Sequence, residues 1–159
     1  MTLAYVALGS NLGDSRQQVV AAMDALDGLP VTRVLRRSPL YLTAPWGVLE
    51  QPPFINAVVA LYTELLPEPL LDALLQIESN AGRVRAKRNG PRTLDLDLLH
   101  MDSVTRHDEQ LILPHPRIAE RAFVLLPLFD IAPTLEIPGQ GTVRALLEQL
   151  DASGCERLG

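Results

Sequence analysis

Residues 83–97, R-V-R-A-K-R-N-G-P-R-T-L-D-L-D, place two demands on the fold within a single short stretch. The first ten hold Arg83, Arg85, Lys87, Arg88 and Arg92 and no acidic side chain. Asn89-Gly90-Pro91 among them is a turn signal, and no apolar period runs through it. The residues that follow alternate strictly, Leu94, Leu96 and Leu98 against Asp95 and Asp97. That is the period of a half-buried strand, which sends the leucines into a core and both carboxylates to the opposite face. Their Cβ atoms then stand about 7 Å apart, and like charges so placed repel unless a cation lies between them. Such a pair of hard oxygen ligands suits Mg2+, which keeps waters and completes its shell from phosphate. A cationic loop beside it fits a polyphosphate, whose other oxygens guanidinium groups hold bidentately. Two plainer readings stand alongside: the outer face of an amphipathic strand, and a solvated charge run. A nucleic-acid surface is disfavoured. Residues 83–97 offer no aromatic side chain for a base to stack on, and the chain as a whole is acidic, with 14 basic and 19 acidic residues and a net charge of −5.

A length of 159 residues suggests one domain spanning 1–159, and 47% hydrophobic with 21% charged residues fits an ordinary globule. Cys155 is the only cysteine, so no disulfide forms within the chain. No basic region precedes the apolar start, and no apolar run approaches the roughly 20 residues that span a bilayer. A cytoplasmic monomer, with neither membrane nor nucleic acid as partner, is expected.

Leu3 to Leu8 reads as a buried strand ended by Gly9-Ser10-Asn11. Asp14 or Ser15 caps a helix over 15–28, with Val19, Met23 and Leu26 on one face. Gly9 to Gly13 reads first as turn and packing chemistry, since neither a Walker-type nor a dinucleotide-type glycine motif occurs, and second as a place on the substrate wall. A second strand covers 31–41. The loop over 42–53 holds three prolines and the only tryptophan, Trp46, and loops of that length tend to carry function. Phe54 to Thr63 is a third strand, in which Asn56 puts an amide inside an apolar run. Such an amide is either satisfied internally or turned to the edge of a heterocycle. A helix over 68–80 shows Leu70, Leu71, Leu74 and Leu75 on one face and ends at Gly82, and Glu78 at its edge reads as an ion-pair partner for Arg85 or Arg88. The strand over 94–100 leads to a short hairpin at 101–103. His115 stands between two prolines as a turn residue, Arg121 and Phe123 open a short helix, 133–141 is a loop with at most a short strand, and 143–150 is an amphipathic helix. The order β-α-β-β-α-β followed by extra C-terminal helices is the α+β, ferredoxin-like plan, an antiparallel sheet with helices packed on it.

G-R-V-R at 82–85, followed by R-N-G-P-R-T-L-D-L-D at 88–97, resembles the signature of the 6-hydroxymethyl-7,8-dihydropterin pyrophosphokinase family of folate biosynthesis. The resemblance covers about the whole chain. A-Y-V-A-L-G-S-N-L-G-D at 4–14, F-I-N-A-V-V at 54–59, P-H-P at 114–116 and R-A-F-V-L-L-P-L-F-D-I-A-P at 121–133 follow in the family's order. It implies transfer of pyrophosphate from ATP to the hydroxymethyl oxygen of the pterin, with attack on the β-phosphorus and release of AMP. ATP and the pterin are then the small-molecule partners, and two Mg2+ ions sit on Asp95 and Asp97. The implied catalytic set is Arg83, Arg92 and Asp97, the two arginines neutralising charge on the transferring group. Arg85, Lys87, Arg88 and Arg92 take the triphosphate, Glu78 helps to hold the nucleotide site, and His115 and Arg121 contact phosphate. Thr43, Ala44 and Pro45 face the pterin, Asn56 reads its edge, and Phe54 and Phe123 stack on its ring.

The chain departs from the family pattern in four places. Asn89 stands where many members have tryptophan, and the loop between Arg85 and Arg88 is shorter, so that the usual basic residue falls on Lys87. Gln110 stands where a member has arginine, and Pro116 where an aromatic is common. These changes bear on affinity and loop kinetics more than on reaction type. Two rivals remain on the residues alone: a ferredoxin-like nucleic-acid-binding module, and another Mg2+-dependent phosphotransferase that shares Asp95 and Asp97 without using Asn56 and Phe123.

Overall fold

The computed structural model of the chain describes residues 1–44, 51–82 and 93–158. The chain runs through β1 (Thr2–Ser10), α1 (Ser15–Asp27), β2 (Thr32–Arg37), β3 (Tyr41–Thr43), β4 (Phe54–Thr63), α2 (Pro67–Asn80) and β5 (Asp95–Met101). It continues through β6 (Arg106–His107), β7 (Ile112–Leu113), α3 (Ala122–Ile131), β8 (Glu136–Ile137), β9 (Gly141–Thr142), α4 (Val143–Glu148) and β10 (Cys155–Arg157). One antiparallel sheet holds six of these strands in the order β10-β3-β4-β1-β5, with β2 also paired to β4.

β1 is buried along most of its length because both of its faces are covered. Ala4, Val6 and Leu8 point to one side, where α1 contributes Val19, Met23 and Leu26 and α2 contributes Leu70 and Leu74. Tyr5 and Ala7 point to the other side, into a second core with Leu125 and Leu128 of α3 and Val143 of α4. The period of two in the strand thus divides the molecule into helix, sheet and helix layers. α1 starts where Asp14 Oδ1 accepts the Gln17 N–H at 3.1 Å. α2 starts on Pro67, whose missing N–H costs nothing in the first turn. Among the described residues no helix is long and apolar enough to cross a membrane.

The structure departs from the sequence expectations in several places. The hairpin expected at 101–103 is a turn, for β5 pairs with β1 and β6 pairs instead with β7, a hairpin not foreseen. The strand expected over 31–41 is two strands, β2 and β3, interrupted at Ser38-Pro39. Proline has no N–H for a ladder; Ser38 bridges the gap, its N–H donating to Val58 O and its Oγ accepting the Val58 N–H, both at 2.9 Å. In 133–141, where at most one short strand was expected, β8 opens a hairpin that closes on β9, with Glu136 paired to Thr142. β10 was not foreseen, for three residues, C-E-R, carry no readable alternation.

Two of the side chains that fasten the sheet to its helices bear on the site. The Tyr41 hydroxyl donates to Asp130 Oδ2 at 2.5 Å and ties β3 to α3; burial and the neighbouring carboxylate hold this phenol well above its usual pKa. Glu78 of α2 is 3% exposed, and its Oε2 accepts the Leu96 N–H at 2.7 Å. β5 ends the sheet, so this carboxylate takes up a donor that no further strand would meet. Glu78→Ala should leave that N–H buried without its acceptor, lowering unfolding free energy by about 1–3 kcal/mol. Urea denaturation checks this; a loss below about 0.5 kcal/mol, the range of ordinary surface changes, would contradict it.

Candidate active site

The register of β1 builds the site. Gly9 pairs with Asn56 on β4 and with Asp95 on β5, while Tyr41 on β3 pairs with Asn56. One row across four strands therefore reads Tyr41, Asn56, Gly9, Asp95. Asp97 stands one pleat further along, opposite Ala7. Alternation turns Asn56, Asp95 and Asp97 to the α3 face, while Leu96 and Leu98 enter the core under α1 and α2.

A cavity of about 300 Å³ lies over this row. It is lined by Thr43 and Ala44 at the end of β3, Phe54 and Asn56 at the start of β4, Asp95 and Asp97, and Arg121 and Phe123 at the start of α3. All eight are residues that the sequence singles out. Arg121 Nη1 lies 3.8 Å from Asp97 Oδ2, and its guanidinium carbon is 5.7 Å from the centre of the Phe123 ring. One cation thus borders both the carboxylate end and the aromatic end of the cavity.

The surroundings of Asn56 bear on the alternatives left by its sequence context. It is 8% exposed; its Nδ2 reaches Leu8 O only at 3.5 Å, and its Oδ1 has no partner among the described residues. The amide is thus poorly satisfied from within, and a buried polar atom left so costs stability unless a ligand meets it. The Thr43 hydroxyl, also buried, has the Cys155 thiol beside it without a well-formed hydrogen bond. Gly9 explains how an amide fits here at all. A Cβ at Gly9 would come within 2.8 Å of Asn56 Nδ2.

His115 lies outside this cavity. It borders an adjoining groove of about 330 Å³ together with Gln110, Pro116 and Asp97, so Asp97 is common to both spaces. Its Nδ1 accepts the Arg117 N–H at 3.1 Å, which leaves the proton of the neutral ring on Nε2. Burial, reinforced by Arg121 and then Arg117, pushes its pKa down to about 4, against the pull of Asp95. Gln140, in the turn between β8 and β9, donates to His115 O at 3.2 Å. Glu78 lies beneath β5 on the Leu96 N–H. Pro45, Arg83, Arg85, Lys87, Arg88, Arg92 and Asn89 lie outside the described residues.

Asp95 and Asp97 fit a hard divalent cation. Their donors are all oxygen, they stand on adjacent same-face positions, and the Asp97 side chain is 34% exposed. Among the described residues no three metal-ligating side chains gather, so phosphate and water would complete the shell, as Mg2+ prefers. Gly9, which reads first as turn chemistry and second as substrate wall, lines the cavity, and so do Leu150, Asp151, Gly154 and Cys155, which the sequence did not mark as site residues.

Residues 5–133 match the model of the 7,8-dihydro-6-hydroxymethylpterin-pyrophosphokinase (HPPK) family. A 2-amino-4-hydroxy-6-hydroxymethyldihydropteridine pyrophosphokinase from Methylorubrum extorquens is 49% identical over 99% of this chain and 99% of its own length. One of the same name from Pseudomonas aeruginosa is 49% identical over 97% of this chain and 95% of its own. Among solved structures, a Plasmodium falciparum HPPK-DHPS with pteroate superposes with a TM-score of 0.76 at 16% identity, over 99% of this chain. This chain spans 46% of that longer protein, and the likeness speaks for the fold.

The His115 environment predicts a pH dependence of stability. The unfolded chain takes up a proton here near pH 6.5 and the folded chain only near pH 4, so acid between those values favours unfolding. Urea midpoints should fall from pH 7 to pH 4.5, and His115→Asn should reduce the fall. An identical fall in the variant would contradict this assignment.

Proposed function

The chain belongs to the 7,8-dihydro-6-hydroxymethylpterin-pyrophosphokinase family, and from that premise we propose how its cavity performs the reaction. The enzyme transfers pyrophosphate from ATP to the hydroxymethyl group of 6-hydroxymethyl-7,8-dihydropterin in folate biosynthesis. The pterin hydroxymethyl oxygen attacks the β-phosphorus of ATP; a new P–O bond forms, the hydroxyl proton passes to solvent, the α–β bridge breaks, and its electrons leave with AMP. The observation that carries the reading is the row Asn56-Gly9-Asp95. It places an unsatisfied amide and a carboxylate pair at two ends of one cavity.

Catalysis of such a transfer is mostly positioning and charge stabilisation. At the ring end, Asn56 offers both a donor and an acceptor to the pyrimidine edge of the pterin. Thr43 and Ala44 line the wall beside it, and Phe54 and Phe123 offer the aromatic faces. Pro45, next in the sequence, is assigned to the pterin by the family resemblance. At the other end, Asp95 and Asp97 would hold magnesium, two ions in this reading, and the metal would supply neutralisation of phosphate charge. Arg121 keeps a positive charge beside Asp97, where phosphate oxygens would enter. His115, kept neutral, offers Nε2–H to a phosphate oxygen in the groove that shares Asp97 with the cavity. Arg83 and Arg92 meet the charge on the transferring group, and Arg85, Lys87 and Arg88 gather the triphosphate, as the sequence assigns them. The part Glu78 plays on the nucleotide side is support of β5 from beneath.

The ferredoxin-like plan belongs to the same reading. It takes β2 and β3 together as one interrupted strand beside β4, in a sheet of order β5-β1-β4-β2/β3. So does a single domain over residues 1–159, acting as a cytoplasmic monomer on small molecules and not on nucleic acid.

Two variants separate the ends of the cavity. Asn56→Ala should raise KM for the pterin about tenfold or more, the loss expected for a hydrogen-bonding group, and leave KM for ATP within about twofold. Asp97→Ala should lower kcat by at least about 10²-fold. Steady-state kinetics in both substrates checks this, and equal rises of the two KM values in Asn56→Ala would contradict the assignment.

A further inference from the structure

We propose that Cys155 faces the substrate in the pterin cavity and that its thiol is a covalently addressable site there, an inference that rests on the cavity being the pterin site. The family model matches residues 5–133, yet the cavity wall continues beyond that match through Leu150, Asp151, Gly154 and Cys155. This part of the wall is therefore built by a stretch outside that match.

β10 holds that wall in register. Cys155 pairs with Thr43, Glu156 with Leu42 and Arg157 with Tyr41. The Ala44 N–H donates to Gly154 O at 3.0 Å, and the Leu158 N–H to Leu40 O at 2.8 Å, so ordinary backbone hydrogen bonds continue on both sides of the ladder. Cys155 is thereby set beside Thr43, at the end of the cavity away from the β5 carboxylates on β3's far side of the sheet. A second, independent observation marks the space as one that receives a polar ligand. Asn56, more than nine-tenths buried, lines it with an Oδ1 that no group among the described residues meets. With the hydroxymethyl group directed to Asp95 and Asp97, the fused ring must lie toward Asn56, Thr43 and Cys155. An adduct on the sulfur would occupy ring space and leave the phosphate end clear.

Iodoacetamide is a suitable probe. The thiolate sulfur displaces iodide, an S–C bond forms, and the thiol proton goes to buffer. Cys155 is the only cysteine, so one mass increment on the intact chain reports on it alone. Burial pushes the thiol above its ordinary range, with Thr43 pulling the other way, so labelling is run at pH 9. With 6-hydroxymethyl-7,8-dihydropterin at ten times its Kd, the labelling rate should fall about tenfold, while ATP alone leaves it within about twofold. The labelled enzyme should show a raised KM for the pterin and a KM for ATP within about twofold of the unlabelled enzyme. Equal labelling rates with and without pterin, in a chain that releases AMP in its presence, would overturn this inference and leave the pyrophosphokinase reading standing. Absence of pterin-dependent AMP release from the unlabelled chain would overturn both.

Discussion

The pairing of β1 with its two neighbours is the constraint on which the rest of the site depends. Asn56, Gly9 and Asp95 are far apart in the chain and stand side by side only because β1 lies between β4 and β5 in one register. A shift by one residue would turn Asp95 and Asp97 into the core beneath α1 and α2 and bring Leu96 into the cavity. Buried charge on one face and exposed leucine on the other make that alternative costly, so the same hydrophobic pattern that stabilises the sheet also selects the active geometry. Gly9 is the small residue this arrangement needs, since any Cβ there meets the Asn56 amide.

The sheet also needs its edges held. On the β5 side, Glu78 accepts the Leu96 N–H and steadies the strand that carries both carboxylates. On the β3 side, the Tyr41–Asp130 hydrogen bond joins the strand that ends in Thr43 to the helix that begins beside Phe123. The two opposite walls of the cavity are thus connected through a polar contact outside it. Both fasteners use a carboxylate as acceptor, and such charge-assisted bonds are stronger than neutral ones.

Much of this was legible in the sequence, and what was not is instructive. The L-D-L-D-L alternation placed Leu94, Leu96 and Leu98 inward and the aspartates outward, as the structure has them. Asn56 stood out because an amide interrupts an apolar run. Thr43, Ala44, Phe54 and Phe123 came through family resemblance and proved to line the same cavity. Glu78 was visible as a polar residue at the edge of an apolar stripe, but its partner Leu96 N–H is a backbone group, and no side-chain pattern announces one. A place for Gly9 on the substrate wall was the second reading of its turn; its close approach to Asn56 depends on a cross-strand neighbour that local context does not show. β10 and Cys155 were illegible because a three-residue strand has too little length for a period, and its partner β3 lies more than a hundred residues earlier. The separation of His115 into an adjoining groove is likewise a property of the tertiary arrangement.

The central claim is that one cavity aligns a pterin hydroxyl with the β-phosphorus of ATP. It is tested most directly by identifying the nucleotide formed when the chain is given ATP, Mg2+ and 6-hydroxymethyl-7,8-dihydropterin. Anion-exchange separation of the quenched reaction should show AMP in amounts equal to the pterin consumed, and none when the pterin is omitted. ADP as the product would mean that the γ-phosphate is the group transferred. AMP formed equally without the pterin would mean that water is the acceptor. Either result would contradict the account.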